Sequence, residues 1–342
     1  MQPDLQPVPD FPLQCLNSFG IAARARAYLR ITSVAQLGAV LADPVLGAMP
    51  RLVLGGGSNI LLTGDVDALV LHMAILGKEL LSAEAGRTLV RSGAGENWHD
   101  FVQYTLAQEL GGLENMSLIP GTVGASPIQN IGAYGAELKD TFHSLSAFDV
   151  HTGCLREMDA AECRFGYRDS IFKQAEGANL VIVDVTFALP TAWQPNLRYA
   201  ELAQAVAEAG LAAPSAQQVS ELVVAIRRRK LPDPAVIGNA GSFFKNPVVT
   251  GEHCRRLLAA HPQLVHHVQS DGTEKLAAGW LIDQCGWKGK SMGAAGVYPR
   301  QALVLVNNGG ATGAEVVALA RAIQADVAER FGVTLETEPV FV

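Results

Sequence analysis

A glycine-rich segment from Gly55 to Asn59 is the first part of the sequence whose composition suggests ligand chemistry. Its backbone N–H groups are not screened by side chains, which is what binding of a phosphate or pyrophosphate requires. A Rossmann fold would need the spacing G-x-G-x-x-G and a helix, but Ile60 and strand-like sequence follow here. The segment therefore indicates phosphate binding outside a Rossmann fold.

A second segment, from Ile119 to Gly135, is rich in glycine, proline and side-chain amides and also contains many apolar residues. This composition suits no regular element and is too apolar for a solvated loop. We therefore expect backbone wrapped around a flat ligand. For both glycine-rich segments, ordinary tight turns are the alternative.

Two further clusters, residues 163–170 and 238–247, crowd polar donors among aromatic side chains. Ser242 lies in the second cluster but not in a G-x-S-x-G motif, so it is poorly suited to be a hydrolase nucleophile. A serine can still donate a proton. Near the end of the chain, Glu336 and Glu338 are two residues apart, so in a strand both would project from one face.

The sequence does not indicate a metal site. The five cysteines are scattered without a C-x-x-C pair, His266 and His267 are adjacent, and His99 lies in a helix-like stretch. Adjacent residues of a strand face opposite ways, so the two neighbouring histidines cannot bind one ion from a strand. We expect every histidine to be structural or solvated. Because the cysteines form no disulfide pattern, we also expect the protein to be in a reducing compartment such as the cytoplasm.

The elements that must position these residues are both strands and helices. Residues 51–54 and 60–62 predict a strand, a glycine turn and a second strand, and residues 68–72 and 88–92 are also strand-like. Residues 98–108 resemble a helix. The mixture predicts an α+β fold.

Two later helices have clear signals. Apolar residues at 219, 222, 223 and 226 have helical spacing, and residues 227–230 place three arginines and Lys230 in the last turn. These cations either complement the helix C-terminus or, for Lys230, serve the next motif. Thr312 and Glu315 predict a capping box, an apolar stripe runs to Phe331, and Gly332 predicts the helix end, with a strand after it.

The composition predicts a folded protein of two or three packed units. Of 342 residues, 49% are apolar and 17% are charged, which argues against disorder and low-complexity structure. The net charge of −7 disfavours a general nucleic-acid or anionic-membrane surface, although a local basic pocket could bind an anionic small molecule. With no export signal or long apolar run, we expect a cytoplasmic protein. We also expect a monomer.

Seven segments occur in the order typical of the UDP-N-acetylenolpyruvoylglucosamine reductase (MurB) family, and together they span nearly the whole chain. They are residues 17–20, 54–59, 93–98, 119–135, 167–173, 241–247 and 335–338. Residues 193–195 together with Tyr199 resemble the longer, type I form, in which a tyrosine-bearing loop covers the substrate. Two departures are small: Ser18 replaces the usual threonine, and the chain ends four residues after Glu338.

The resemblance implies a fold in which an FAD-binding domain of the vanillyl-alcohol oxidase type precedes a smaller α+β substrate-binding domain. The implied FAD-binding region is residues 1–228, with subdomains of about 1–72 and 73–228. The implied substrate-binding domain is residues 229–333. Residues 334–342 are expected to form a strand that returns Glu338 to the active site.

The implied activity is a step of bacterial peptidoglycan precursor synthesis, and so of cell-wall biogenesis, cell shape and cell division. Members of the family bind FAD non-covalently, take electrons from NADPH, and reduce the enolpyruvyl ether of UDP-N-acetylglucosamine to UDP-N-acetylmuramate. Hydride from flavin N5 reaches the vinyl carbon. By motif, Arg168 and a protonated Glu338 would stabilise the resulting enolate, and Ser242 would protonate it.

The resemblance also implies binding residues. Phenol, ammonium and amide groups can donate hydrogen bonds to the substrate, and the matching residues are Tyr167, Tyr199, Lys230 and Asn246. The residues implied for FAD binding are Gly55, Gly56, Gly57, Ser58, Asn59, Pro120, Gly121, Gly124, Ser126, Gln129, Asn130, Gly132, Ala133 and Tyr134.

Alternatives remain open at this point. Another FAD oxidase or dehydrogenase, acting on an alcohol or aldonolactone, would have no reason for the motif at residues 241–244. A catalytically silent flavin- or nucleotide-binding module would not need the proposed catalytic trio. Arg168 could instead be an ion-pair partner of Asp169, and Glu336 competes with Glu338 for the catalytic role.

Overall fold

The structure is a computed structural model that describes residues 5–269 and 271–342, so the first four residues of the implied FAD-binding region lie outside it. The helices are α1 (Val34–Ala42), α2 (Trp98–Ala107), α3 (Ala160–Cys163), α4 (Ala200–Glu208), α5 (Ala216–Lys230), α6 (Gly251–Ala260), α7 (Ala278–Gln284) and α8 (Gly313–Phe331).

The strands are β1 (Val8–Pro12), β2 (Arg24–Ile31), β3 (Arg51–Leu54), β4 (Ile60–Leu61), β5 (Val66–Met73), β6 (Lys78–Glu84), β7 (Arg87–Gly93), β8 (Gly132–Ala133), β9 (Ala136–Glu137), β10 (Phe142–Asp149), β11 (Cys154–Asp159), β12 (Leu180–Pro190), β13 (Gly238–Ser242), β14 (Val248–Thr250), β15 (His266–Val268), β16 (Thr273–Leu276), β17 (Ser291–Met292), β18 (Ala295–Val297), β19 (Val304–Asn307) and β20 (Val340–Phe341). Together with the helices, they confirm the predicted mixture of α and β elements.

The described residues divide into two compact units, each built from several chain segments. The first unit comprises residues 5–11, Ala25–Gly56 and Asp67–Arg229. The second comprises Pro12–Arg24, Gly57–Val66 and Lys230–Val342. The change from the first unit to the second at Lys230 falls at the last residue of α5.

The first unit contains two main sheets. One has the strand order β1-β2-β5-β3, and β3 runs parallel to β5 with Arg51 opposite Leu69. The other has the order β11-β10-β12-β7-β6 and is antiparallel in every recorded pairing. The glycine turn after β3 leads into a strand, β4, so the prediction of a strand, turn and strand is confirmed and a Rossmann unit is absent there.

Helix α2 anchors the core beside the second sheet. Trp98 and Phe101 on α2 and Phe187 on β12 are almost fully buried, with ring centroids 5.2–6.3 Å apart. The indole N–H of Trp98 donates a 2.9 Å hydrogen bond to the Met116 carbonyl, so its polar atom is satisfied inside the core. Burial of each ring contributes about 1.5–3 kcal/mol.

The second unit contains a sheet of order β13-β19-β18-β17, a three-stranded sheet of order β14-β16-β15, and the parallel pair β20-β4. Helix α8 confirms its sequence signals. Thr312 and Glu315 form the capping box, the apolar stripe is buried, and Gly332 ends the helix in the left-handed conformation with φ of +63°.

Two properties of the described residues bear on the class of protein. None of their helices combines the length and the apolar character that a membrane crossing requires. All five cysteines are free thiols, in agreement with the absence of a disulfide pattern in the sequence.

The cap of α8 gives a stability prediction. The Thr312 hydroxyl accepts a 3.2 Å hydrogen bond from Glu315 N, so Thr312→Ala leaves an amide of the first turn without its partner. We expect a loss of about 1 kcal/mol in the free energy of unfolding, measured by urea denaturation. Thr312→Ser keeps the acceptor and is the control; an equal loss in both variants would contradict this explanation.

Candidate active site

In the first unit, the glycine-rich segments bring backbone into very close contact. A Cβ atom on Gly56 would lie 2.8 Å from the Cα atom of Gly121, and one on Gly124 would overlap Ala94. A Cβ on Gly55 would lie 2.7 Å from the hydroxyl oxygen of Thr122. These glycines therefore meet a steric requirement that tight turns alone do not impose.

The segment from residue 118 to 135 has an irregular and strained backbone. Leu118, Asn130 and Tyr134 have φ values of +60°, +44° and +48°, which side-chain-bearing residues rarely adopt. Asn130 is fully buried; its amide donates to Glu137 Oε2 and Gly166 O, and its Oδ1 accepts from Lys139 N. Such strain persists only where the surroundings hold it, and it is common at ligand sites.

A buried hydroxyl in the first unit suits a phosphate-bearing cofactor such as FAD. The hydroxyl of Thr122 is buried and has no hydrogen-bond partner among the described residues. Leaving a buried hydroxyl unpaired costs about 1–3 kcal/mol. A ligand oxygen that accepts a hydrogen bond from this hydroxyl would remove that cost. The hydroxyl adjoins the Gly55 and Gly121 backbone, where side chains do not obstruct the approach of a ligand.

Several predicted cofactor residues have roles inside the chain. The Ser126 hydroxyl is buried and donates a 2.6 Å hydrogen bond to Val123 O. Gly132 and Ala133 form strand β8, which pairs with β9. Gly132 O accepts from the Arg168 guanidinium.

Arg168 is held by its backbone and its side chain. Its φ is +54°, its Nη2 donates a 2.8 Å hydrogen bond to Gly132 O, and its guanidinium lies 5.5 Å from the ring centroid of Tyr167. The neighbouring Asp169 carboxylate accepts from Ser170 N and Gln174 Nε2. The arginine is thus fixed against the predicted cofactor loop at residue 132.

Tyr134 and Tyr199 form an edge-to-face pair with ring centroids 5.1 Å apart. Burial raises the pKa of Tyr134 to about 12, and the nearby charge of Arg227 acts in the opposite direction. Tyr199 is 43% exposed and precedes α4, which agrees with a surface tyrosine available to a ligand.

Two buried polar atoms near this tyrosine pair were not predicted from the sequence. Within the described part of the chain, no hydrogen-bond partner is found for Arg227 Nε or for Asn115 Oδ1. The amide nitrogen of Asn115 donates a hydrogen bond to Tyr134 O. Burial lowers the pKa of Arg227. The sequence allowed Arg227 as a solvated helix-end cation, but this side chain points inward, whereas Arg229 forms a surface ion pair with Glu201.

In the second unit, Ser242 is the last residue of β13, beyond a bulge. The register of β13 against β19 shifts between Asn239 and Ser242, and Gly241 has a φ of +69°. Phe243 and Phe244, which follow, are buried and pack edge-to-face at 5.3 Å. The Ser242 hydroxyl makes no hydrogen bond with any described residue, so its proton is uncommitted.

The backbone of the chain end places Glu338 beside this serine. Glu338 N donates a 2.9 Å hydrogen bond to Phe243 O, and Asn59 Nδ2 donates to Glu338 O at 3.3 Å. The Glu338 side chain is buried, with the residue 8% exposed. The chain therefore joins Ser242, Glu338 and one predicted cofactor residue, Asn59, within one unit.

Glu336 is in a different position from Glu338. Its side chain is 72% exposed and forms a 3.1 Å ion pair with Lys245, the neighbour of Asn246. The expectation that both glutamates project from one strand face is wrong. Residues 333–339 contain a single bridge, at Thr337, and regular strand begins only at Val340, so strict alternation does not apply.

The other predicted residues of the second unit have defined positions. Asn246 Oδ1 accepts a 3.0 Å hydrogen bond from Ala278 N at the start of α7, which leaves its amide N–H groups to donate. A Cβ on Gly57, whose φ is +59°, would overlap Leu16 O. Ser58 follows it, and Lys230 ends α5.

Comparison with known proteins decides the family. Residues 25–159 match the profile of an FAD binding domain, and residues 233–342 match that of the UDP-N-acetylenolpyruvoylglucosamine reductase C-terminal domain. The chain is 57% identical over 342 residues to the UDP-N-acetylenolpyruvoylglucosamine reductase of Paraburkholderia phymatum, covering 99% of both chains. This chain belongs to the UDP-N-acetylenolpyruvoylglucosamine reductase family.

Other members of the reductase family are also similar to this chain. The reductase of an Azoarcus species is 56% identical over 344 residues, again covering 99% of both chains. The crystal structure of the Thermus caldophilus reductase has a TM-score of 0.66 at 22% identity and covers 99% of this chain, so it supports the fold. The predicted family, α+β fold with an FAD-binding domain, and class of enzyme are confirmed; the roles of individual residues stay predictions.

Thr122 provides a test of the cofactor site. Thr122→Val keeps the shape but removes the unpaired hydroxyl, so we expect the Kd for FAD to rise about ten- to hundredfold, as for loss of a hydrogen bond to a charged group. The flavin-free protein should be at least as stable as the parent, because a buried unpaired hydroxyl has been removed. FAD titration by fluorescence quenching and thermal unfolding measure the two effects. An FAD affinity equal to that of the parent would show that Thr122 is not part of the site. Thr122→Ser keeps the hydroxyl and is the control.

Proposed function

We propose that this protein reduces the enolpyruvyl ether of UDP-N-acetylglucosamine, UDP-N-acetyl-3-O-(1-carboxyvinyl)-glucosamine, to UDP-N-acetylmuramate, with NADPH as the source of electrons. The observation that carries the proposal is full-length similarity to proteins named for this reductase, at 57% identity. The reaction belongs to peptidoglycan precursor synthesis, and we place it in the cytoplasm and in a monomeric enzyme.

FAD, when bound, supplies the hydride that adds to the terminal vinyl carbon of the substrate. The resulting negative charge at the neighbouring carbon is shared with the substrate carboxylate as an enolate. The reaction balances only when that carbon receives a proton, so the protein must hold a donor there. A serine hydroxyl is a weak acid, and it becomes competent only opposite a base as strong as an enolate.

Ser242 is the donor in this proposal. Its support is the position of the residue at the end of β13, before two buried phenylalanines, with a hydroxyl that has no partner among the described residues. A rigid position fixes the face of the enolate that receives the proton and hence the stereochemistry of the product. Ser242 recovers its proton from solvent after release.

Glu338 and Arg168 stabilise the enolate in this proposal. A protonated carboxyl group at Glu338 would donate a hydrogen bond, and its support is burial of the side chain together with a backbone tied to Phe243 and Asn59. The Arg168 guanidinium would supply positive charge, and its support is the hydrogen bond that orients it on Gly132 O. Fixed groups stabilise developing charge without the cost of reorganisation.

Substrate binding falls to residues that donate hydrogen bonds without taking part in the chemistry. Tyr199 is exposed, and Asn246 uses only its Oδ1 in the cap of α7. With Lys230, these groups would bind the diphosphate, where the ammonium alone carries charge. Tyr167, whose ring lies against Arg168, would complete the set.

Anaerobic stopped-flow experiments test the function directly. NADPH should bleach the bound flavin, and the enolpyruvyl substrate should then restore its absorbance with formation of UDP-N-acetylmuramate. UDP-N-acetylglucosamine, which lacks the double bond, is the matched control and should restore nothing. An oxidase would be reoxidised by oxygen but not by the enolpyruvyl substrate, and that result would contradict the proposal.

Ser242→Ala separates the two half-reactions. NADPH should reduce the flavin at nearly the parent rate, because no serine proton is needed there. Reoxidation by the enolpyruvyl substrate should slow by about 10² to 10⁴-fold, the usual contribution of a positioned general acid. Single-turnover stopped-flow absorbance measures both rates.

The control for this prediction is Ser242→Cys, which keeps an acidic hydrogen near the same place and should recover part of the rate. Parent-like reoxidation in Ser242→Ala would assign the serine a structural role and require another donor.

Lys230→Ala and Tyr199→Phe test substrate binding. We expect each change to raise the KM for the UDP substrate much more than it slows flavin reduction at saturating NADPH, because uniform binding is lost. Steady-state kinetics supply the KM, and stopped-flow traces supply the reduction rate. Arg229→Ala, which removes a surface ion pair beside Lys230, is the control. An unchanged KM would remove either residue from the diphosphate site.

A further inference from the structure

A cluster of three metal-ligating side chains lies in the second unit, apart from the residues assigned above. The Cys254 thiol, the His266 imidazole and the Glu274 carboxylate each bring one ligand atom within 4.8 Å of the other two. His266 Nδ1 and Glu274 Oε2 are 2.9 Å apart. Thiolate, imidazole and carboxylate are the three ligand types that Zn²⁺ takes in proteins.

Strand register explains why the sequence did not reveal this cluster. His266 on β15 lies opposite Leu276 on β16, and Glu274 is two residues from Leu276, so both side chains share one face of the hairpin. Cys254, in the first turns of α6, approaches Glu274. His267 faces the other way, opposite Lys275, and remains exposed. Only one histidine of the adjacent pair therefore points toward the cysteine.

The separations suit a tetrahedral ion. Ligand distances of about 2.0–2.3 Å from Zn²⁺ place neighbouring ligand atoms about 3.3–3.6 Å apart. The observed separations, from 2.9 Å to at most 4.8 Å, bracket these values, so side-chain rotations alone can form the site. The His266 side chain is 30% exposed, which leaves a solvent-facing side for a water as fourth ligand.

Charge and burial also favour a cation. The Cys254 side chain is 1% exposed and makes no hydrogen bond with a described residue, and the Glu274 side chain is 15% exposed with His266 as its recorded partner. A thiolate, a carboxylate and a neutral imidazole together carry −2, which one divalent cation balances.

We propose that Cys254, His266 and Glu274 bind one Zn²⁺ ion, with water as the fourth ligand, and that the ion fastens α6 to the β15–β16 hairpin. On binding, the Cys254 thiol loses its proton to solvent, and bonds from His266 and Glu274 to the metal replace the 2.9 Å contact between these two side chains. The ion would join two elements whose apolar contact surface includes the buried Leu257 on α6 and Leu276 on β16 but not Val268 on the hairpin, which is 72% exposed. The proposal is independent of the reductase reaction.

The test uses the FAD-loaded full-length protein after treatment with a chelator. Zn²⁺ competition against a chromophoric chelator should show one equivalent bound, and Co²⁺ should give a thiolate-to-metal charge-transfer band. Cys254→Ser and His266→Gln should each weaken Zn²⁺ binding more than tenfold, and Cys254→Ser should lose the Co²⁺ band. Zn²⁺ should raise the Tm of the parent more than that of either variant.

Matched controls separate this site from other thiols and imidazoles. Cys285→Ser and His267→Gln change the same residue types outside the cluster and should retain parent-like Zn²⁺ affinity and the Co²⁺ band. Circular dichroism checks that each variant is folded. Absence of stoichiometric Zn²⁺ binding in the parent would overturn the proposal, as would retention of the band in Cys254→Ser.

Discussion

Two main-chain hydrogen bonds set the register between the end of the chain and the segment that follows Ser242 in the second unit. Glu338 N donates to Phe243 O, and Lys245 N donates to Glu336 O, each at 2.9 Å. A shift of one residue would put Pro339, which lacks an N–H, in the place of Glu338 and lose one of these bonds. This register holds the Glu338 carboxyl buried beside the Ser242 segment and leaves Glu336 in solvent with Lys245.

In the first unit, steric closeness constrains the backbone in the same way that register does in the second. Gly56 and Gly124 occupy positions where any Cβ would collide with Gly121 or Ala94. The loop at residues 118–135 keeps non-glycine residues in the left-handed region, and the buried Asn130 side chain holds that shape through hydrogen bonds to Glu137, Gly166 and Lys139. Rigidity of this kind suits a flat ligand, because the ligand then does not have to order the loop.

Three buried polar atoms without hydrogen-bond partners also lie in the first unit. Thr122 Oγ1, Asn115 Oδ1 and Arg227 Nε all lie in the first unit, and none has a hydrogen-bond partner in the part of the chain described. A buried polar atom without a partner is costly, so each of these atoms is a place where a ligand atom would be stabilising; the second unit has one such atom, Ser18 Oγ. Family membership and physical chemistry therefore point independently to ligand binding by this unit, although only the family names the substrate of its members.

Local patterns in the sequence determined the family, the α+β class and individual elements such as α5, α8 and the strand-turn-strand at β3 and β4. Caps and apolar spacing involve residues within a few positions of one another, so one segment contains the whole signal. The tertiary structure decided what depends on distant partners: that Glu338 is buried while Glu336 is not, that Arg227 points inward, and that His266 meets Cys254. Strand register and helix packing decide such contacts, and neither is a property of a single segment.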